Sequence, residues 1–353
     1  MMIPYIEILE WQSDSLKPSF VIEPSQFWAE LSFWETGEFE IYAVATKENL
    51  RLAKWQMVKI PNKPYLWVIT KVTYEYNADG ARMVSASGFE AKWICSRRII
   101  QDPIYLKADL KSALSAIFEF NLGDSADPDR RIGGLTWELG GGDKSVNLQA
   151  TRGNLYEYVM GLLKTYQMGA TSLIDEVGRV VFKTIEGEDK SGSMLFSQSM
   201  DNLLSAVYST DDTDKATDAQ IVNTFSEKDF VAYAGDDGSG LERAEITISP
   251  NLSLKVKDEG GAEITLDPAS QEFGIMQESE GIKALAERQS AVSFEATIDL
   301  RHSRFEFGVD FFLGDIVRVR DEYFGYEAQA RITKYTIRQD SGGYSEEAEY
   351  GSI

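Results

Sequence analysis

LGDIVRVRDEYFGYEAQARITKYTIRQDSGGYSEEAEYG, residues Leu313 to Gly351, decides the fold, because WQMVKIPNKPYLWVITKVTYEYNADGARMVSASG, residues Trp55 to Gly88, has the same order of parts. Each opens on a short strand alternating apolar and basic residues: Met57, Val58, Lys59 and Ile60 in one, Ile316, Val317, Arg318 and Val319 in the other. A turn, a long alternating strand, a Gly-containing turn and a return strand follow in both. Asn77, Ala78, Asp79 and Gly80 suit the tight hairpin turn, since Asn, Asp and Gly tolerate the positive φ it requires. One chain therefore builds the same hairpin-rich unit twice.

Working outward from the first copy, FWAELSFWETGEFEIYA (27–43) alternates Trp28, Leu31 and Phe33 with polar residues and turns at Thr36-Gly37 into Phe39 and Ile41. Residues 1–102 then form a first small antiparallel β-barrel. From 103 the period lengthens: Leu110, Leu114, Ile117 and Phe118 share a helical face behind the N-cap candidate Asp109. Leu155, Val159, Leu162, Leu163 and Tyr166 do the same behind Asn154, with Glu157 completing a capping-box pattern. With strands near 170–175 and 178–185, residues 103–195 read as an α/β inserted domain. Strand patterns return at 203–209 and 219–226, and again from 292. Between them, 228–278 is strand-poor and rich in Gly and Asp, with a short helix from Ser279-Glu280 to about Ser290. The second barrel is thus assembled from 196–227 and 292–353, around a small inserted domain at 228–291. The fold class is mainly β with α/β insertions: two similar antiparallel β-barrel domains plus two smaller inserted domains.

The 353 residues suffice for several cores. Asp and Glu number 57 against 35 Lys and Arg, a net charge of −22, and such a surface repels nucleic acid. The single cysteine, Cys95, makes neither a disulfide within the chain nor a thiolate metal site and reads as a buried bystander. MMIPYIEILEWQSDSLKP has none of the parts of a signal peptide, which implies folding in a cytosol. No apolar run reaches the length of a membrane helix.

Candidate chemistry is sparse. GGGDKS (Gly140–Ser145) lacks the glycine spacing of a phosphate loop and carries Asp143 where a phosphate would be repelled, so it reads as a turn. Asp211, Asp212, Asp214 and Asp218 lack the glycine and terminal glutamate of a calcium loop and read as a solvated linker. The only histidine, His302, reads as a surface residue, which removes multi-histidine metal sites. Arg97 and Arg98 are expected to pair with local carboxylates. No motif demands an enzyme, a cofactor or a metal.

FWETGEFEIYA and VSASGFEAKWICSRRII, with DNLLSAVYSTD, GLERAEI and LGDIVRV ahead of ARITKYT, together resemble the tail hub proteins of long-tailed siphophages, which are related in fold to baseplate hubs. The resemblance covers most of the chain. It implies that two similar barrels in each of three chains form a six-unit ring, so that a homotrimer meets a sixfold tail tube. On that footing Gly37, Glu38 and Phe39 belong to the first barrel's turn and Gly314 and Asp315 to the second's, while Gly88, with Arg97 and Arg98 about nine residues beyond it, belongs to the motif that carries the resemblance. The implied partners are a distal tail protein, a tape-measure protein and receptor-binding or fibre proteins, with phage DNA passing transiently through the channel. The implied location is the virion tail tip, after assembly in the host cytoplasm. Two other readings compete: a cell-wall glycosidase or carbohydrate-binding tail-tip protein, since some carboxylate pair always lies at a workable separation, and the hub of a bacterial injection device.

Overall fold

The computed structural model describes residues 5–200, 203, 205–235, 238–289, 291–297 and 304–351. His302 lies outside the described residues. The chain is mainly β with α/β insertions, as expected.

A large sheet has thirteen strands, numbered here β1 Ile6–Gln12, β2 Ser15–Ile22, β3 Gln26–Ser32, β4 Glu38–Val44, β5 Met57–Lys59, β6 Leu66–Tyr76 and β7 Arg82–Glu90, then β8 Leu195–Ser197, β9 Ser205–Asp211, β10 Ala291–Thr297, β11 Ile316–Asp321, β12 Tyr326–Asp340 and β13 Gly343–Gly351. Their order is β9-β10-β13-β12-β3-β4-β7-β6-β5-β1-β2, with β11 beside β12 and β8 beside β11. The repeat stands out at once. β5, β6 and β7 form one antiparallel meander, and β11, β12 and β13 form the other.

Burial explains the run of large apolar residues at the start of β6. Trp67 and Ile69 face the main core, while Leu66 and Val68 face a second cluster with Met57 and Val180, so both faces of the strand are covered. The main core is shared by the two units: Phe33, Phe39 and Trp67 from the first lie in one cluster with Phe196, Val317, Ile332 and Tyr335 from the second. Phe307 stacks on Tyr335 with ring centroids 3.6 Å apart.

The inserted elements begin where side chains cap the backbone. Helix α1, Leu110–Leu122, starts with Asp109 accepting from the Ser112 amide at 2.9 Å, and α2, Leu155–Thr165, with Asn154 accepting from the Glu157 amide at 3.2 Å. Helix α3 departs from expectation. It spans Gln271–Ala286 behind the N-cap Ser270, eight residues earlier than the sequence reading had it, and buries Phe273, Met276 and Gln277. Its acidic, glycine-bearing surface diluted the helical period.

The segment expected to be strand-poor also contains strands. Lys228–Gly235 pairs with Asp218–Phe225, and Glu245–Ile248 runs parallel to the latter. Their hairpin turn is Ser226-Glu227, both at positive φ (50° and 63°), the geometry for which Asn-Gly is the usual signal. Neither residue announces such a turn. Asp218–Phe225 thus pairs within this small sheet and not within the large one. Lys255–Lys257 and Glu263–Thr265 join Ile104–Asp109 and Ser145–Ala150 in a four-stranded sheet. Among the described residues no helix is long and apolar enough to cross a membrane.

Candidate functional site

The two units match residue by residue. Met57 pairs with Val68 and Ile316 with Arg331, which aligns Met57, Val58 and Lys59 with Ile316, Val317 and Arg318. Each long strand carries one irregularity against its return strand, between Ile69 and Lys71 in β6 and between Ile332 and Lys334 in β12. A repeated pattern marks the place: Ile69-Thr70-Lys71-Val72-Thr73 and Ile332-Thr333-Lys334-Tyr335-Thr336. This repeated pattern marks in the sequence an equivalence that the order of the hairpins alone does not fix.

The turn leading into each short strand is also repeated. The Gly314 amide donates to the Ile332 carbonyl at 2.8 Å and the Ile332 amide to the Asp315 carbonyl at 2.9 Å. In the first unit, the Trp55 amide donates to the Ile69 carbonyl at 2.8 Å and the Ile69 amide to the Gln56 carbonyl at 2.9 Å. Gly314 therefore corresponds to Trp55, and both have positive φ, 91° and 74°. Asp315 and Gln56 correspond in turn, each accepting from the amide three residues back, Phe312 and Ala53, at 2.9 Å. Asp315 is 2% exposed; it accepts from the Glu188 amide at 2.8 Å and meets Lys190 at 2.8 Å. It ties the second unit to the inserted domain.

Gly37, Glu38, Phe39 and Gly88 form a different constellation. Phe39 is opposite Gly88 across β4 and β7, and a Cβ on Gly88 would stand 1.9 Å from the Val68 carbonyl oxygen and 3.0 Å from the Phe39 ring. Glycine leaves room for that ring. A Cβ on Gly37 would meet the Glu30 carbonyl oxygen at 2.1 Å, so this glycine lets the turn close onto β3. Glu38 is exposed at the start of β4. The equivalent of Phe39 in the second unit is Phe294, which is opposite Tyr350. The two turns named from the sequence thus occupy different places in their respective units.

Among the described residues Arg97 and Arg98 do not take the carboxylate partners expected of them. The Arg97 guanidinium lies 5.4 Å from the Trp55 ring centroid and 5.9 Å from that of Trp93. Arg98 donates from Nε to the Arg130 carbonyl at 2.6 Å, and burial, with Arg130 and Arg97 nearby, lowers its pKa. Planar guanidinium groups suit rings and carbonyls where the local surface is aromatic. Cys95 is buried, and burial pushes its thiol up to about 12. Gly141 turns GGGDKS at φ 83°, with the Lys144 amide donating to its carbonyl at 3.2 Å.

The joint between the units is where β3 pairs with the second half of β12, from Lys334 opposite Ser32 to Gln339 opposite Phe27. Lys334 reaches across it to Glu30 at 4.0 Å and Glu35 at 3.9 Å, and meets Glu349, opposite it on β13 of its own unit, at 3.8 Å. Burial alone would lower the pKa of Lys334, but Glu30, Glu349 and Glu35 outweigh it and raise the value. Glu30 is itself raised, by burial first, with Lys334 opposing. The Phe33 amide donates to the Thr333 carbonyl at 2.7 Å, and Arg331 lies over the Phe33 ring at 5.3 Å while donating to the Gly314 carbonyl at 2.8 Å.

A buried ion pair fastens the end of β3 to the inserted domain. Glu90 and Lys92, both fully buried, meet at 3.1 Å; Lys92 also donates to the Ser32 carbonyl and, at 2.7 Å, to that of Ala170. Glu90 accepts from the Thr171 hydroxyl at 2.9 Å and the Ser172 amide at 3.2 Å. Burial lowers the pKa of Lys92 despite the neighbouring Glu90. Sequence reasoning passed over this pair, since a charged residue in a strand-to-helix turn reads as exposed. Among the described residues no cluster of His, Cys, Asp and Glu could hold a metal ion.

The family model described as siphovirus ReqiPepy6 Gp37-like protein matches residues 25–352. Among solved structures, a tail protein from Neisseria meningitidis MC58 is 11% identical with a TM-score of 0.56, covering 99% of this chain and 96% of its own. The 43 kDa tail protein of prophage MuSo2 from Shewanella oneidensis is 12% identical with a TM-score of 0.56, covering 98% of each. The prophage tail protein gp18 from Listeria monocytogenes is 13% identical with a TM-score of 0.53, covering 99% and 94%. At these identities the likeness concerns the fold. No curated protein matches the chain by sequence.

Proposed function

We propose, from the premise that the chain belongs to the siphovirus ReqiPepy6 Gp37-like family, that this structural tail protein is the hub at the distal end of the tail tube. In this role it is a homotrimeric symmetry adaptor that closes the tube and forms the DNA exit channel. The observation that carries the reading is the register match of β5-β6-β7 with β11-β12-β13, joined side by side through β3 and β12. Two equivalent units per chain, three chains per ring, give six equivalent places for a sixfold tube.

The division into two hub barrels and two inserted domains belongs to this proposal, with Asp218–Phe225 assigned to the smaller insertion because of its pairing. Its partners would be the distal tail protein, the tape-measure protein and receptor-binding or fibre proteins at the virion tail tip, after assembly in the host cytoplasm. Catalysis has no part in the proposed role. Mass measurement tests it: the protein, alone at high concentration or with the distal tail protein, should give a threefold species. A strictly monomeric or dimeric protein under both conditions would overturn the reading.

A further inference from the structure

The joint inside one chain is one of two contacts that a ring of equivalent units requires. Within the chain, the β3 strand of the first unit pairs with the second half of β12 in the second. The corresponding surfaces at the outer ends are β9 and the second half of β6. Among the described residues β9 is a terminal strand of the sheet, and β6 beyond Ile69 pairs with β7 on one side only. Both edges carry exposed apolar residues: Tyr74 is 56% exposed, Tyr76 69% and Val207 56%.

The equivalence can be followed strand by strand. Ile69 is opposite Gly88 and Ile332 opposite Tyr350; Gly88 is opposite Phe39 and Tyr350 opposite Phe294; Phe39 is opposite Ala29 and Phe294 opposite Tyr208. Three residues further along each strand, Ser32 corresponds to Asp211. The pairing Lys334 to Ser32 therefore becomes Lys71 to Asp211 between chains, and Tyr335 to Leu31 becomes Val72 to Thr210.

We propose that β6 of one copy pairs antiparallel with β9 of a neighbouring copy, with Lys71 opposite Asp211, so that three chains close head to tail into one continuous ring. This rests on the trimeric hub reading and names the surfaces that would make the trimer. The contact is heterologous, joining two different edges, and such contacts either close into rings or run on into filaments. An alternation of β3-β12 joints within chains and β9-β6 joints between them repeats one geometry around the ring.

Charge supports the register. Lys334 sits among carboxylates at the internal joint, two of which, Glu30 and Glu35, come from the β3 side. Counting on from Asp211, the equivalent of Glu35 is Asp214, within the acidic run that has neither the glycine nor the glutamate of a calcium loop. Lys71 is exposed in the single chain. The equivalents of Glu30 and Glu349 are Ser209 and Ser87, so the neighbour's Asp211, opposite Lys71, and Asp214 would supply the carboxylates at this joint.

Paired cysteines test the proposal in the full-length protein. Lys71→Cys with Asp211→Cys, and Val72→Cys with Thr210→Cys, are adjacent pairs. Opposed residues alternate between close and wide spacing in an antiparallel ladder, so one of the two suits a disulfide. Mild oxidation should yield a covalent trimer on a non-reducing gel from at least one pair. Val72→Cys with Val207→Cys, three residues out of register, should yield none, and buried Cys95 should not interfere. Lys71→Glu should lower the trimer fraction several-fold at a fixed concentration, and adding Asp211→Lys should restore it. A trimer by mass that neither matched pair captures would overturn the strand pairing while leaving the trimeric hub standing. A protein that remains monomeric with and without the distal tail protein would overturn both.

Discussion

Gly314→Ala should destabilise the chain far more than an ordinary glycine replacement, and the structure separates the reasons. At φ 91° an alanine is strained by about 1 kcal/mol. The added Cβ would also stand 2.4 Å from Cε2 of Phe33 and 3.0 Å from Cδ2. Phe33 has no escape: it is 0% exposed, its ring centroid is 5.2 Å from that of Trp34, and Arg331 lies over it at 5.3 Å. Forcing a methyl into such packing costs about 1–3 kcal/mol, for a total near 2–4 kcal/mol. At about 2–4 °C per kcal/mol for a cooperative unit of this size, the Tm should fall by roughly 5–15 °C. Trp55 gives the internal control: an L-residue at φ 74° in the equivalent turn shows that the backbone geometry alone is bearable, so the Phe33 clash supplies most of the loss. Differential scanning calorimetry of three variants decides. Gly142→Ala, with nothing within 4 Å of its Cβ, should stay within about 0.5 kcal/mol of the parent. Phe33→Leu placed on Gly314→Ala should recover part of the loss, because the two sites are in contact and couple. A Gly314→Ala melt within about 1 °C of the parent would refute the reasoning.

Removing half of the buried pair by Lys92→Met should cost about 3–5 kcal/mol by chemical denaturation, and Glu90→Gln with Lys92→Met should cost less than the single change; equal losses would show that the carboxylate does not depend on the lysine. Cys95, held neutral by burial to about 12 from an ordinary 9.0, should resist thiol reagents at pH 8 until the protein opens. Because the unfolded thiol ionises first, its contribution to stability is present below pH 9 and is lost as pH rises from there towards 12; Cys95→Ala should flatten that part of the curve. On the hub reading, incubation with peptidoglycan should release no reducing ends, and turnover abolished by a single Asp or Glu substitution would favour the glycosidase reading instead. A trimer would carry three times the chain's −22, so binding assays should detect no salt-dependent association with duplex DNA.

What the sequence revealed and what it hid follow from the range of the interactions involved. The meanders were legible because alternation and turn chemistry are local, and α1 and α2 because Asp109 and Asn154 sit directly before apolar periods. Helix α3 was misplaced because Gly274, Gly281 and its acidic positions blurred the period, and the 218–235 hairpin was missed because Ser226 and Glu227 adopt a turn that their identities do not advertise. The joint was beyond reach. Its partners, β3 and β12, are some three hundred residues apart, and nothing in either strand names the other. The correspondence of Trp55 with Gly314 was hidden for a different reason, since residues of opposite character occupy the same backbone geometry.

Sheet edges distinguish the surfaces that the fold protects from those it leaves for partners. β2 ends the sheet on one side, and it is blunted there: Lys17 and Pro18 lie on it, its pairing with β1 shifts register between Ile8 and Leu9, and the Leu16 amide donates to the Gly178 carbonyl at 2.6 Å. β5 is covered by β1, and its counterpart β11 by β8, antiparallel in one unit and parallel in the other. The two units therefore diverge most where each must hide a short strand behind different neighbouring chain. They agree most closely at the long strands and at the register between them. SAVYSTD in β9 and KVTYEY in the second half of β6 contain no proline, and their one lysine, Lys71, is the residue whose counterpart already bridges a joint. Among the described residues these two edges stay uncovered with one lysine between them, and an edge so lightly guarded invites pairing with another chain, which on the proposed ring would be the other edge of a neighbouring copy. On the hub reading, quasi-symmetry would account for both the duplication and the unevenness of the edges: divergence would be tolerated on surfaces turned towards the chain's own insertions, and constrained where one unit must substitute for the other against a common partner.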